Sequence, residues 1–357
     1  MRNPYAGVDW SSHTRCKASM HAHTTESDGT QSPAEVIDEH HAKRYDILAL
    51  TDHDAIPGWP GTERGSTWPW TSYGRDPDEL GMLAVEGNEF SLIDHVNGYF
   101  TGVWTEEELR GGTHDRFAED LPWIIDQIGV RGGLAQINHP GRYDRSLSFY
   151  LELFDRHRHL HAIEVFNQGD RCPQDRQRWD HLVTAMRRAG SHYPLWGSSV
   201  DDSHQASHIG RNYHVYLLPD RDEAALREAM TAGAYWFVHD PRGASDDRHD
   251  DGGSGFWTAA PMIERIDVTP AAISIEATRY DTITWSTDDG VPLGDGERLA
   301  LNDEQLGSYV RAVLRGDGRA ATYTQPFYLG AAPAEHQTPD PARRGAMGSD
   351  HSDLLGR

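Results

Sequence analysis

CKASMHAHTTESDGTQSPAEVIDEHHAKRYDILALTDHD, residues 16–54, reads as one strand–helix–strand unit. Its first apolar run leads into His21-Ala22-His23. Residues two apart in a strand point to the same face, so both imidazoles reach toward one position. Ser32, Pro33 and Glu35 carry the signature of a capping box with proline at the first helical position, which fixes where the helix starts. The loop TTESDG therefore follows the first strand directly, and Gly29 lets it turn back over the strand end. The second strand, DILAL, delivers Thr51-Asp52-His53-Asp54. Two successive strands thus end in side chains able to bind a metal.

Working outward, strand-length apolar runs recur: MLAVEGNEFSL, HVNGYFTG, GLAQINHP, AIEVFNQ and YPLWGSSVDDSH. Between many of them lie helical periodicities, among them AEDLPWIIDQI, SFYLELFDRH, RWDHLVTAMRRAG and DEAALREAMTAG. The alternation predicts repeated βα units around a mostly parallel sheet. From about residue 240 to 256 glycine, aspartate and serine replace the apolar periodicity. Beyond that, MIERIDVTPAAISIEAT, DTITWSTDDG, ERLAL, SYVRAVLR and ATYTQPFYLG read as short antiparallel strands joined by Asp-Gly and Gly-Asp turns. The expected organisation is an α/β barrel over 1–245, a linker or mobile loop at 246–256, a small β-sandwich-like domain over 257–330 and a disordered tail at 331–357.

The chain has 357 residues, enough for one large domain with a smaller appendage. Its 56 acidic against 33 basic residues give a formal charge of -23, which opposes non-specific capture by nucleic acid or anionic lipid. The opening residues contain no apolar leader, and no run reaches the roughly 18 apolar residues of a spanning helix. A cytoplasmic protein without a membrane or nucleic-acid partner is expected. With only Cys16 and Cys172, thiolate metal sites are disfavoured, so any metal takes nitrogen and oxygen ligands.

The candidate ligands lie at strand ends. After His21, His23, Asp28 and His53 come Glu89 at the end of the third strand and His95 opening the next. Asn138-His139-Pro140 closes a further strand, and Asp202-Ser203-His204 another. A single HxH is commonly no more than a solvated strand face. Five strand ends, each with His, Asp or Glu, make a costly core unless something compensates them. In a parallel barrel these positions are where functional loops gather. Asp52, Asp54, Asn138 and Asp201 are candidates for orienting ligands or moving a proton, or equally for capping strand ends.

The run from Lys17 to Asp54, then EGNEFS, DHVNGYF, INHPGR, IEVFN and SSVDDSH in that order, resembles the PHP (polymerase and histidinol phosphatase) superfamily over roughly residues 1–240. The segment ending TYTQPFYLG resembles a branch that includes carbaryl-hydrolase-like enzymes. The resemblance implies a distorted (β/α)7 barrel and two or three divalent ions, and imidazole and carboxylate donors suit zinc, manganese or iron without choosing among them. It implies a first metal on His21, His23, Glu89 and Asp202, with Glu89 shared with a second on His95 and His139. Asp28, His53 and His204 are implied for a third. Glu86 competes with Glu89 and Asp201 with Asp202; the GxE and DxH spacings favour the latter of each pair. The implied chemistry is hydrolysis by a metal-bridging hydroxide, of a phosphate ester first and of an ester, amide or carbamate as the alternative. A third alternative is a metal-stabilised binding protein without turnover.

Asp52 and Asp201 are the candidates for proton transfer. Arg142 and Arg211 are the candidate anion clamps for a small anionic substrate, because a guanidinium grips phosphate or carboxylate in a fork. Lys17, Glu164 and Asn167 are expected to line the pocket. Trp59, Trp68 and Trp70 lie in an insertion with many prolines and glycines, read as either an aromatic lid or core packing.

Overall fold

The opening unit folds as β1 (Thr14–Ser19), α1 (Pro33–Ala42) and β2 (Ile47–Leu50), with β1 and β2 parallel. The start of α1 is set by the capping box: Ser32 N donates to Glu35 Oε2 at 2.8 Å, and Ser32 Oγ accepts from Glu35 N. This computed structural model describes residues 1–54, 66–104, 108, 116–243 and 260–330. Trp59 and the stretches expected as linker and tail lie outside the described residues.

β3 (Leu83–Phe90) continues parallel to β2, and β6 (Leu160–Asn167) lies parallel between β5 (Leu134–Ile137) and β7 (Trp196–Val200). β4 (Val96–Tyr99) is antiparallel to both β3 and β5. The chain returns from β3 as a hairpin instead of through a helix, so the start of β4 lies beside the end of β3. β8 (Asn212–Leu218) runs antiparallel to β1, and β9 (Tyr235–His239) antiparallel to β8. α2 (Arg116–Val130) joins β4 to β5, α3 (Leu147–Arg156) and α4 (Asp175–Arg188) make the parallel crossovers from β5 to β6 and β6 to β7, and α5 (Glu223–Ala232) joins β8 to β9.

The strand ribbon curls back on itself. Beyond β7, Ser203 bridges in parallel to Ala22 at the end of β1, and His23 N donates to Ser203 O at 2.9 Å. Ser199 Oγ on β7 donates to Val238 O on β9 at 2.7 Å. The result is a mixed α/β fold with a barrel-like curl.

Strands β1, β2, β8 and β9 are buried on both faces, and their side chains alternate between two cores. Cys16, Ala18, Ile47, Ala49, Tyr216, Tyr235 and Phe237 pack into one. Leu48, Leu50, Val215, Leu217, Trp236 and Val238 pack into the other. This period of two explains why these strands read as unbroken apolar runs.

The carboxyl-terminal strands are β10 (Met262–Val268), β11 (Ala272–Thr278), β12 (Thr282–Ser286), β13 (Pro292–Asp295), β14 (Arg298–Ala300), β15 (Tyr309–Arg315), β16 (Ala321–Tyr323) and β17 (Phe327–Tyr328). β10, β11 and β14 form a separate sheet whose Ile263, Ile266, Ile273 and Ile275 share the second core with Ile283, Trp285 and Leu314. That pairing of layers is sandwich-like. One layer is also hydrogen-bonded into the main sheet, because β16 pairs with β9 in the register Ala321↔His239. Trp70 is 1% exposed in the second core and Trp68 packs against it, so neither serves as a lid. No helix among the described residues is long and apolar enough to cross a membrane.

Candidate metal centre

The ladders continue up to three residues past the strands, and these extensions carry the chemistry. His53 bridges in parallel to Glu89: Glu89 N donates to Asp52 O at 3.2 Å, and Asp54 N to Glu89 O at 3.0 Å. Asn138 N donates to His95 O at 3.1 Å, joining the start of β4 to the end of β5. Gly29 closes the first loop over the site; a Cβ there would lie 2.7 Å from the backbone of His23, so only glycine fits. His139, Gln168 and Asp202, just after β5, β6 and β7, have φ values of 26°, 45° and 46°. Such strained backbone clusters at sites where the surrounding structure fixes a side chain for a purpose.

All nine predicted ligands converge. Glu89, 1% exposed, faces five imidazoles: His95 Nδ1 and His139 Nε2 lie 3.0 Å from its Oε1. His53 Nδ1 lies 3.1 Å from its Oε2, and the Nε2 atoms of His21 and His23 each lie 3.3 Å away. Asp202 Oδ1 is 3.0 Å from His23 Nε2 and 3.4 Å from His21 Nε2. Asp28 completes an outer group, 3.3 Å from His204 Nε2, 3.5 Å from His53 Nε2 and 3.6 Å from His23 Nδ1. Three sets have mutually close donor atoms: His21, His23, Glu89 and Asp202; His23, Asp28, His53 and His204; and His53, Glu89 and His95.

The electrostatics call for cationic charge. Burial works against protonation of His21 and His23, yet neighbouring carboxylates outweigh it and raise both, His23 to about 10. The same pairing overrides burial to hold Glu89 and Asp202 well below the usual carboxylate range. Buried Asp202 Oδ1 has only the His21 and His23 ring nitrogens beside it and makes no well-aligned hydrogen bond among the described residues. Ionised carboxylates among buried imidazoles, with one carboxylate oxygen left over, fit divalent cations that accept N and O donors. The outer side chains are the exposed ones: Asp28 is 42% and His204 24% exposed, so solvent reaches the cluster from that side.

Supporting contacts are equally specific. Asn138 Nδ2 donates to Glu89 Oε1 at 2.8 Å and to Asn97 Oδ1 at 2.9 Å. Glu164 Oε1 lies 2.8 Å from His21 Nδ1, while its Oε2 accepts from His139 N at 2.7 Å and Asn167 Nδ2 at 2.9 Å. Asn167 and Gln168 each place an amide nitrogen 3.2 Å from Asp202 Oδ2. Gln168 and Gln136, which donates to Glu164, escaped the sequence reading, since a lone glutamine carries no motif.

Several expected roles need correction. Lys17 does not line a pocket: it is 3% exposed, with Nζ 3.2 Å from Lys43 O and 4.1 Å from the Tyr45 ring centroid. Glu164 and Asn167 are buried, Glu164 against His21 and His139 and Asn167 through its Nδ2 against Asp202, so they orient the cluster instead of meeting substrate. Asp52 is not poised for proton transfer: it accepts from Thr24 N, Thr24 Oγ1, Ser27 Oγ and Thr67 Oγ1 at 2.6–2.8 Å and so pins the loop carrying Asp28. Asp201 accepts from the backbone amides of Gly210, Arg211 and Asn212, and burial pushes it up to about 7. Both are structural acceptors. Arg142 is exposed in the turn after His139, and Arg211 is half-buried.

No protein-family model matches the chain. A curated 5'-3' exoribonuclease of Haemophilus influenzae is 45% identical over 42 residues, which is 12% of this chain and only 15% of that relative. Among solved structures, a two-domain Bacteroides vulgatus protein containing a predicted PHP-like metal-dependent phosphoesterase has a TM-score of 0.47 at 14% identity, covering 90% of this chain and 96% of its own. A Chromobacterium violaceum amidohydrolase with bound sulfate has a TM-score of 0.36 at 20% identity, covering 52% and 87%.

Proposed function

We propose that the chain is a metal-dependent hydrolase of the PHP type that cleaves phosphate esters of small anionic molecules. His21, His23, Asp28, His53, Glu89, His95, His139, Asp202 and His204 would hold two or three divalent cations, drawn from zinc, manganese and iron. The observation that carries this reading is the buried Glu89 carboxylate facing five imidazoles within 3.3 Å. Divalent cations bound there lower the pKa of water and stabilise charge building on phosphoryl oxygens. The chain's own residues do the positioning. Glu164 holds His21, Asn138 holds Glu89, Asn167 and Gln168 hold Asp202, and Asp52 holds the loop of Asp28. Arg142, exposed beside His139, supplies the guanidinium fork for the substrate anion.

The test is turnover of p-nitrophenyl phosphate, bis-p-nitrophenyl phosphate and a naphthyl carbamate by protein loaded in turn with zinc, manganese and iron. The diester is included because of the short exoribonuclease likeness. Phosphate-ester cleavage that stops on chelation is expected. Cleavage of the carbamate alone, or of none of the three, overturns the reading.

Glu164→Gln gives a narrower check. A carboxylate on Nδ1 of a histidine fixes the tautomer that presents Nε2, and losing such a partner costs 10–100-fold in metal affinity or activity. That loss is expected for Glu164→Gln in a metal titration, against an unshifted curve if Glu164 merely fills the core.

A further inference from the structure

The sheet topology gathers a second constellation at the same end of the fold as the metal cluster. β8 and β9 run antiparallel, as do β15 and β16, so Arg211 just before β8, His239 ending β9, Arg319 just before β16 and Arg315 ending β15 all arrive at that end. There they meet Arg176 from α4 around a cavity of about 480 Å³. Phe166 and His239 stack in its wall at 4.6 Å with planes 7° apart. Gln168, whose Nε2 touches Asp202 Oδ2 at 3.2 Å, forms another part of the wall. The cavity is thus one side chain away from the cluster.

Its charge is at odds with the chain. In a protein of formal charge -23, four arginines face one space. Asp170 also faces it and is paired with Arg176. The side chains of Arg211, Arg315 and Arg319 have no carboxylate partner among the described residues. Arg319 is moreover held at φ 71°, in the left-handed region. Guanidinium groups converging on a concave, partly desolvated space concentrate positive potential there and match the oxygens of phosphate.

We propose that this cavity is an anion subsite that takes a second phosphate group of the substrate, distal to the ester at the metal cluster. The link to substrate rests on the hydrolase reading; the binding itself does not. It also assigns a role to the carboxyl-terminal strands β15 and β16 and the turn between them, which contribute Arg315 and Arg319.

Calorimetric titration of the full chain, stripped of metal by chelation, with inorganic pyrophosphate tests the cavity alone. One saturable site is expected, weakened at least about tenfold by Arg315→Gln/Arg319→Gln and by Arg211→Gln, with Arg298→Gln on β14 unaffected. Both residues of the double variant are exposed, so it keeps the test valid if the half-buried Arg211 proves necessary for folding. No saturable binding, or equal binding by the variants, overturns the proposal. With metal-loaded protein, the kcat/KM ratio of butanediol bisphosphate to butyl phosphate should exceed about ten and fall toward one in the double variant. A ratio unchanged by the double variant overturns the link to substrate. Failure to cleave either ester is instead a failure of the hydrolase reading, and the calorimetry still decides the cavity.

Discussion

Replacing Glu89 with glutamine is expected to lower phosphate-ester turnover on the order of 10³-fold and to reduce bound metal by at least one ion per chain. Among the described residues the carboxylate is the one group in contact with five imidazoles, and its two oxygens divide them: His95 and His139 at Oε1, His21, His23 and His53 at Oε2. An amide of the same shape keeps the packing but removes the charge that would balance bound cations. Glu86 is the matched control. It sits three residues earlier on β3 and is also buried, but its carboxylate is occupied by Thr101 N at 2.6 Å, Gly102 N at 3.0 Å and Ser66 Oγ. Glu86→Gln should leave metal content at the wild-type level. Elemental analysis of both variants with initial rates separates the two; equal metal content in wild type and Glu89→Gln would remove the basis for the proposed reaction.

That control also shows what the sequence made legible. GxE spacing favoured Glu89 over Glu86, and the geometry explains why the choice matters: side chains three apart on a strand face opposite sides, so only one of the pair reaches the cluster. Asp201 and Asp202, adjacent residues just past β7, also part company: Asp201 turns to the amides of Gly210, Arg211 and Asn212, while Asp202 meets the histidines. His21 and His23, His139 before a proline-marked turn, and His204 were readable because each lies at the end of an apolar run. The positioning residues were less visible. Asp52 and Asp201 carry charges that suggest chemistry, yet each is consumed by hydroxyl or amide donors in a loop the sequence does not place. Lys17 and Glu164 lie inside strands, where alternation dictates burial on one face or the other. The hairpins of the carboxyl-terminal part were legible from their turns. Their fusion to the main sheet was not, since Ala321↔His239 is a pairing between residues distant in sequence that no local signal marks.

The fusion is reinforced by a buried ion pair, and breaking it should have the largest effect on stability. Arg311 on β15 donates from Nε and Nη2 to the two carboxylate oxygens of Asp180 on α4 at 2.8 and 2.6 Å, and Tyr309 Oη donates to Asp180 Oδ1 at 2.7 Å. Both charged side chains are about 7% exposed or less. Removing one partner of such a pair strands the other charge away from water and costs about 3–5 kcal/mol, whereas replacing both with neutral groups of similar volume is close to neutral. Arg311→Met is therefore expected to lower the free energy of unfolding by that amount. Asp180→Asn/Arg311→Met, which leaves Tyr309 an acceptor, should recover most of it. Urea unfolding of wild type, single and double variants measures both, through a shift in midpoint at constant slope. If the single variant lies within about 0.5 kcal/mol of wild type, the range of ordinary surface substitutions, the pair does not hold the two parts together and the ladder between β9 and β16 does so without it.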